Sequence, residues 1–177
     1  MKDSKVLFVC TQMEAGGAQT LAMAMTAAMR EHGVGAKVAF LYEKRSVFAG
    51  APGVVSLLER RPSLLEVPTV LWRLLRLVRS FRPTSIVGMA HYASPLACLI
   101  GFLCGVPVRM ATQTSPLGSK NRLARWIDLV CGTIGMYTDN VAASRTIEAD
   151  YRNYPSRYRA VLRTIYNGVS LVPSKLG

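Results

Sequence analysis

Val6-Leu7-Phe8-Val9-Cys10 runs straight into Thr11-Gln12-Met13-Glu14-Ala15-Gly16-Gly17-Ala18-Gln19. Five apolar residues in a row read as a strand buried on both faces. The paired glycines read as a tight turn, and helical spacing begins at once with Leu21, Ala24, Met25, Ala28 and Met29. A strand, a glycine turn and a helix in that order put the helix N-terminus above the strand end. Backbone N–H groups there attract anions, and glycine lets a ligand come close to the backbone. The turn matches neither G-x-G-x-x-G nor G-x-x-x-x-G-K-[ST]. Nicotinamide cofactors and P-loop chemistry are therefore not expected, and no cofactor is assigned.

The same alternation continues outward from this unit. Gly33 suits a helix C-terminal cap. Residues 36–42 and 54–58 read as the second and third strands. Residues 59–81 read as one long helix ended by Arg82-Pro83, with Val67, Val70, Leu71, Leu74, Val78 and Phe81 on one face. Trp72, Arg73, Arg76 and Arg79 fall on the opposite face. Ser85–Ala90 is the fourth strand, His91–Pro95 its loop, and Leu96–Cys104 a buried helix. Residues 106–112 form the fifth strand, and 122–137 a helix carrying Leu123, Trp126, Ile127, Val130 and Ile134 on one side. Asn140–Ser144 is a sixth strand, Arg145–Tyr151 a short helix, 154–163 a basic irregular stretch, and 162–166 a last strand. Connections this long cannot be hairpins. The pattern predicts an α/β domain with a doubly wound, mostly parallel sheet of six to seven strands and helices on both faces. In strand order 3-2-1-4-5-6 the first and fourth strands meet at the switch point, where such sheets bind ligands. Gly16-Gly17 and His91 sit on those two loops.

The totals agree with one such domain. The chain has 177 residues, half of them hydrophobic. Its formal net charge is +12, and sixteen of its 22 cations are arginine, which favours anionic partners over a merely solvated basic surface only where a site supports it. Cys10, Cys98, Cys104 and Cys131 lie in apolar runs without C-x-x-C spacing, so reduced core thiols and a cytoplasmic location are expected. No metal site is expected, since neither of the two histidines lies near a cysteine pair. Residues 83–108 carry no formal charge, but three prolines, two glycines after residue 100 and His91 interrupt them. That suits a buried helix better than a membrane span.

Each candidate site has a plain structural alternative. Gly16-Gly17 faces a ligand or simply turns the chain. His91 reaches a phosphate or a sugar hydroxyl, or it caps local backbone. Thr112 and Gln113, with Thr114 and Ser115, line the crevice, or they form an ordinary loop or cap. Trp72 with Arg73, Arg76 and Arg79 lies on anionic lipid headgroups, or is a solvated helix face. No recognised nucleic-acid motif is present, and no nucleic-acid partner is assigned.

Taken together, these residues resemble a family. Glu14-Ala15-Gly16-Gly17-Ala18-Gln19 is similar to the Gly-Gly-Ala loop of retaining GT-B glycosyltransferases of the group 1, family 4 type, which use nucleotide sugars. Ser85–His91 resembles that family's strand ending in histidine. Val141-Ala142-Ala143-Ser144 and Ile165-Tyr166-Asn167-Gly168-Val169 resemble its later Val-Ser strand and its Asn-Gly-Val-Asp linker, with Ser170 where Asp is usual. The resemblance implies a Rossmann-like acceptor half over residues 1–169, with 170–177 starting a linker. It implies that His91 contacts the sugar at the reaction centre, and that Gly16, Gly17, Gln19, Ser144 and Asn167 belong to the substrate site. It further implies a nucleotide-sugar donor held by a second half, a lipid-linked or polysaccharide acceptor, and no metal. The expectation is that this chain alone transfers no sugar. The alternatives are a non-catalytic binding or membrane-docking module at the inner face of the membrane, or a stand-alone nucleotide binder.

Overall fold

A computed structural model of the chain describes residues 4–166. Seven strands form one sheet, and every pairing is parallel. The order is β3-β2-β1-β4-β5-β6-β7. The strands are β1 (Lys5–Met13), β2 (Gly35–Glu43), β3 (Val54–Ser56), β4 (Ser85–Met89), β5 (Val108–Gln113), β6 (Asp139–Ala142) and β7 (Leu162–Thr164). The helices are α1 (Gly17–Glu31), α2 (Val67–Phe81), α3 (Ala90–Leu103), α4 (Arg122–Thr133), α5 (Arg145–Asp150) and α6 (Ser156–Ala160).

β1 is central because both faces are covered, which only an unbroken apolar run allows. Phe8 and Cys10 pack with Val38, Phe40 and Val87 under Ala22 of α1. Leu7 and Val9 pack on the other face with Ala39 and Ile86 under Val70, Leu74 and Val78 of α2 and Ala93 and Ala97 of α3. A third cluster lies farther along the sheet. There Ala111 and Ala142 meet Cys98, Cys131, Ile147 and the rings of Tyr137, Tyr151 and Tyr158.

β1 runs on to Met13, β3 ends at Ser56 and α4 ends at Thr133, and three further elements differ more from the sequence reading. The long helix begins at Val67, after a 3-10 turn at Leu64–Glu66, and not at residue 59. Glu66 explains the start: its carboxylate accepts from Ser63 N and Ser63 Oγ, both at 2.9 Å, and pairs with Arg60 at 2.7 Å. Both side-chain bonds run from Ser63 to Glu66, the glutamate half of a capping box, and they tighten the turn that leads into the helix. α3 begins at Ala90, so His91–Pro95 is helix and not loop. Its first turn is fixed by Ser94 Oγ, 2.8 Å from both Gly88 O and Ala90 O, and Pro95 follows without ending it. The stretch read as irregular contains α6, which forms around fully buried Tyr158.

Among the described residues, no helix is long and apolar enough to cross a membrane.

Candidate substrate crevice and lipid groove

β1 and β4 pair in register, Cys10 beside Met89, and each leads into a helix at its C-terminal end. α1 and α3 therefore start side by side over the switch point. Neither N-cap residue, Gly16 or Met89, supplies a side-chain cap. Two helix starts converge on one place, and although Thr112 Oγ1 takes the Ala90 N–H, their dipoles favour negative charge there. Between them lies a cavity of about 210 Å³ lined by Thr11, Gln12, Ala18, Gln19, Met89 and Tyr92, among others.

The glycines have separate roles. A β-carbon on Gly16 would lie 2.6 Å from Gln19 Oε1, so glycine lets Gln19 fold back over the helix start. Gln19 Nε2 then donates to Gln12 O at 3.3 Å. A β-carbon on Gly17 would meet nothing within 4 Å. The protein itself has no need of glycine there, and the space stays open. Gln12 joins the rim into a network: its amide donates to Glu14, and its Oε1 accepts from Tyr42 OH at 2.5 Å. Glu14 also pairs with Lys44 at 2.8 Å. Hydrogen bonds from Lys44 and then Gln12 hold its carboxyl below the usual range.

His91 is the second residue of α3, at the β4 junction, between Ala90 and Tyr92, which line the cavity. Thr112 does not face the cavity with a free hydroxyl. Its Oγ1 donates to Gly88 O at 2.9 Å and accepts from Ala90 N at 3.1 Å. Gln113 does not reach the crevice at all. It is fully buried beneath the end of β5, where its amide donates to Asp128 Oδ1 at 3.1 Å and accepts from Lys120 Nζ at 2.6 Å. Ser144 caps α5, accepting from Ile147 N at 3.2 Å. Asn167 lies outside the described residues.

The buried group around Gln113 was not foreseen. Asp128 accepts from Tyr137 OH at 2.9 Å and Tyr158 OH at 2.8 Å, and Lys120 Nζ lies 3.6 Å from it. Tyr151 OH accepts from Lys120 at 2.7 Å. Burial pushes the Lys120 ammonium down, against the pull of Asp128. The available sequence signal was Asp128 itself, a lone acid on the side of its helix opposite the apolar stripe.

That stripe points outward. Leu123 and Trp126 are 66 % and 61 % exposed, while Asp128 is fully buried. Beside Ile127 of the same helix, α2, α3 and α4 enclose an apolar groove of about 610 Å³, lined by Leu41, Val70, Leu71, Leu96 and Leu99 among others. Thr11 and Tyr92 line both the groove and the crevice, so the two adjoin. On α2, Trp72, Arg73, Arg76 and Arg79 are exposed together, with the Arg76 guanidinium 5.5 Å from the Trp72 ring. Arg73 is spent on the loop after β3, where Nη1 donates to Leu57 O.

The profile of the glycosyl transferase 4-like domain matches residues 16–168. The chain belongs to this glycosyltransferase family. A relative in Syntrophus aciditrophicus, the UDP-N-acetylglucosamine--N-acetylmuramyl-(pentapeptide) pyrophosphoryl-undecaprenol N-acetylglucosamine transferase, is 36 % identical over 69 residues, which is 38 % of this chain and 19 % of the relative. HepE from Anabaena, solved with UDP, superposes with a TM-score of 0.74 at 14 % identity, over 93 % of this chain and 44 % of HepE. The lipopolysaccharide outer core galactosyltransferase WaaB superposes with a TM-score of 0.67 at 14 % identity, over 94 % of this chain and 46 % of WaaB. A UDP-GlcNAc 2-epimerase from Methanocaldococcus jannaschii shares the fold at a TM-score of 0.63 and 7 % identity, over 90 % of this chain and 45 % of that one. The chain thus spans less than half the length of these solved structures. Transferases and an epimerase carry one fold, so the fold does not choose the chemistry.

Proposed function

We propose that this chain is the acceptor-side half of a glycosyltransferase that moves a sugar from a nucleotide sugar to a lipid-linked acceptor. One observation carries the reading: the polar crevice and the apolar groove adjoin at Thr11 and Tyr92. An acceptor with an anionic headgroup and a hydrocarbon tail needs that pairing. The headgroup would meet the two helix starts, where N–H groups favour anions. The tail would enter the space between α2, α3 and α4. In this reading His91 contacts the sugar, Gly16 and Gly17 let phosphate oxygens approach the backbone, and Gln19 orients them. The Syntrophus relative acts on a pyrophosphoryl-undecaprenol acceptor by name, and HepE holds UDP, which support the two substrate classes. In this reading the chain binds acceptor but transfers no sugar unaided.

Calorimetry with farnesyl pyrophosphate, inorganic pyrophosphate and farnesol tests this. Farnesyl pyrophosphate should bind at least about tenfold tighter than either part alone, about 1.4 kcal/mol of gain from joining headgroup to tail. Equal affinity for pyrophosphate and farnesyl pyrophosphate would remove the groove from the reading. Transfer from UDP-N-acetylglucosamine by the chain alone would refute the claim that it needs a second half.

A second reading is favoured by the exposed Trp72, Leu123 and Trp126 with neighbouring arginines: these helices dock the chain on an anionic membrane at its cytoplasmic side. Both readings can hold at once, since a lipid-linked acceptor resides in that membrane.

A further inference from the structure

Ala90 is out of place for an alanine. Its φ is 68°, and Arg82 at a helix end is the other non-glycine residue with positive φ among the described residues. A β-carbon makes this left-handed conformation sterically costly. Such a residue persists only when its surroundings over-determine it, and strained residues of this kind gather at functional sites. Ala90 lies directly before His91 and lines the crevice.

The surroundings do over-determine it. Thr112 Oγ1, reaching from the neighbouring strand β5, accepts the Ala90 N–H at 3.1 Å and donates to Gly88 O at 2.9 Å. It therefore clamps both sides of Met89. Ser94, one turn into α3, closes the other half. Its Oγ lies 2.8 Å from Gly88 O and 2.8 Å from Ala90 O, and it accepts Thr112 N at 3.1 Å. The strand and helix backbones almost touch: a β-carbon on Gly88 would lie 2.3 Å from Ser94 Cα. Four residues from three elements thus lock one peptide geometry. Both hydroxyls are engaged within the junction.

We propose that Thr112 and Ser94 form a latch that holds Ala90 left-handed, and that this junction fixes the backbone from which the first turn of α3, with residue 91, departs at the crevice rim. Thr112 is then a positioning residue acting through Ala90. The inference rests on the reading of the crevice as the acceptor site, but its test does not need a ligand.

Glycine adopts the left-handed conformation freely, so Ala90→Gly makes the latch unnecessary for the turn. Thr112→Val should lower Tm, and the same change made in the Ala90→Gly protein should lower Tm by less than half as much. Equal losses in both backgrounds would mean that Thr112 merely braces the sheet, and would overturn the proposal. The chain has two histidines, His32 and His91, so ring signals in NMR separate cleanly. Thr112→Val should move the His91 titration midpoint and leave that of His32 in place, and Thr112→Ser should restore it. An unmoved His91 midpoint would also overturn the latch. Should Thr112→Val not yield folded protein, Ser94→Ala carries the same two comparisons. Adding farnesyl pyrophosphate to the unaltered chain tests the crevice separately: a silent His91 signal would count against the acceptor site and leave the latch result standing.

Discussion

Asp128 and Lys120 form a buried ion pair, but they do not depend on each other equally. Asp128 keeps three neutral donors without Lys120: the Gln113 amide and the hydroxyls of Tyr137 and Tyr158. Lys120 without Asp128 keeps Gln113 Oε1 and Tyr151 OH as hydrogen-bond partners, and Asp150, beyond ion-pair distance, as its remaining opposite charge. An uncompensated buried charge is the costlier defect. Asp128→Asn should therefore destabilise the chain by about 3–5 kcal/mol. Lys120→Met, which removes a charge that burial already disfavours, should cost only about 1–3 kcal/mol. The double variant should lose less than the two singles added, because each removes the other's difficulty. Urea unfolding of the three variants decides the matter. Additive losses, or a larger loss for Lys120→Met, would show that the pair is not the centre of this network.

The central elements were legible in the sequence, and the reason is the parallel sheet. Burial on both faces demanded the run Val6–Cys10, and the glycine turn after it has few other uses. Residues without a local signature were misplaced. Nothing at Gln113 tells whether it points into a crevice or under it, because the residues that bury it, Asp128 and Tyr158, arrive from α4 and α6. The apolar stripe of α4 was visible, but not its direction. An amphipathic pattern normally turns its apolar face inward. In α4 Asp128 takes the inward position because Gln113, Tyr137 and Tyr158 together satisfy it. Leu123 and Trp126 are left outside as a consequence. Ala90 was equally opaque, since its conformation comes from Thr112, twenty-two residues away.

At the scale of the whole molecule, two properties respond to solution conditions, one to pH and one to salt. Burial raises the thiols of Cys10 to about 12, Cys131 to about 11 and Cys98 further, from an ordinary 9.0. Burial likewise raises Tyr137, Tyr151, Tyr154 and Tyr158 above their ordinary 10.0. In the unfolded chain these groups lose protons earlier than in the folded one. Their stabilising share is complete below pH 9 and falls as pH rises towards the folded values, by up to about 1.4 kcal/mol per pH unit for a deeply buried group and by less for half-buried Tyr154. Lys120 acts in the opposite sense below its ordinary 10.5, but it is one group against seven. Urea midpoints should hold steady up to pH 9 and then drop by pH 10. A flat midpoint to pH 10 would contradict the burial of the thiols.

The second property is the net charge of +12, and the exposed face of α2 shows how it would be used at a surface. Arg73 is held by Leu57 O, so it is poorly free to meet a headgroup. Arg76 and Arg79 are exposed, and Arg76 lies over the ring of Trp72, itself 56 % exposed. Each arginine near an anionic bilayer contributes about 1 kcal/mol, within a Debye length. Replacing Arg76 and Arg79 by Gln should therefore lower partition onto phosphatidylglycerol vesicles by about thirtyfold, the effect of about 2 kcal/mol. Arg73→Gln should lower it far less, and would mainly reduce Tm by freeing the loop after β3. Trp126→Ala should weaken binding to anionic vesicles at every salt concentration, because an apolar contact is not screened. The two arginine changes should lose their effect as salt rises. If the Arg76/Arg79 variant sediments with vesicles as well as the unaltered chain, α2 is a solvated helix face. Any docking would then rest on Leu123 and Trp126 of α4 alone.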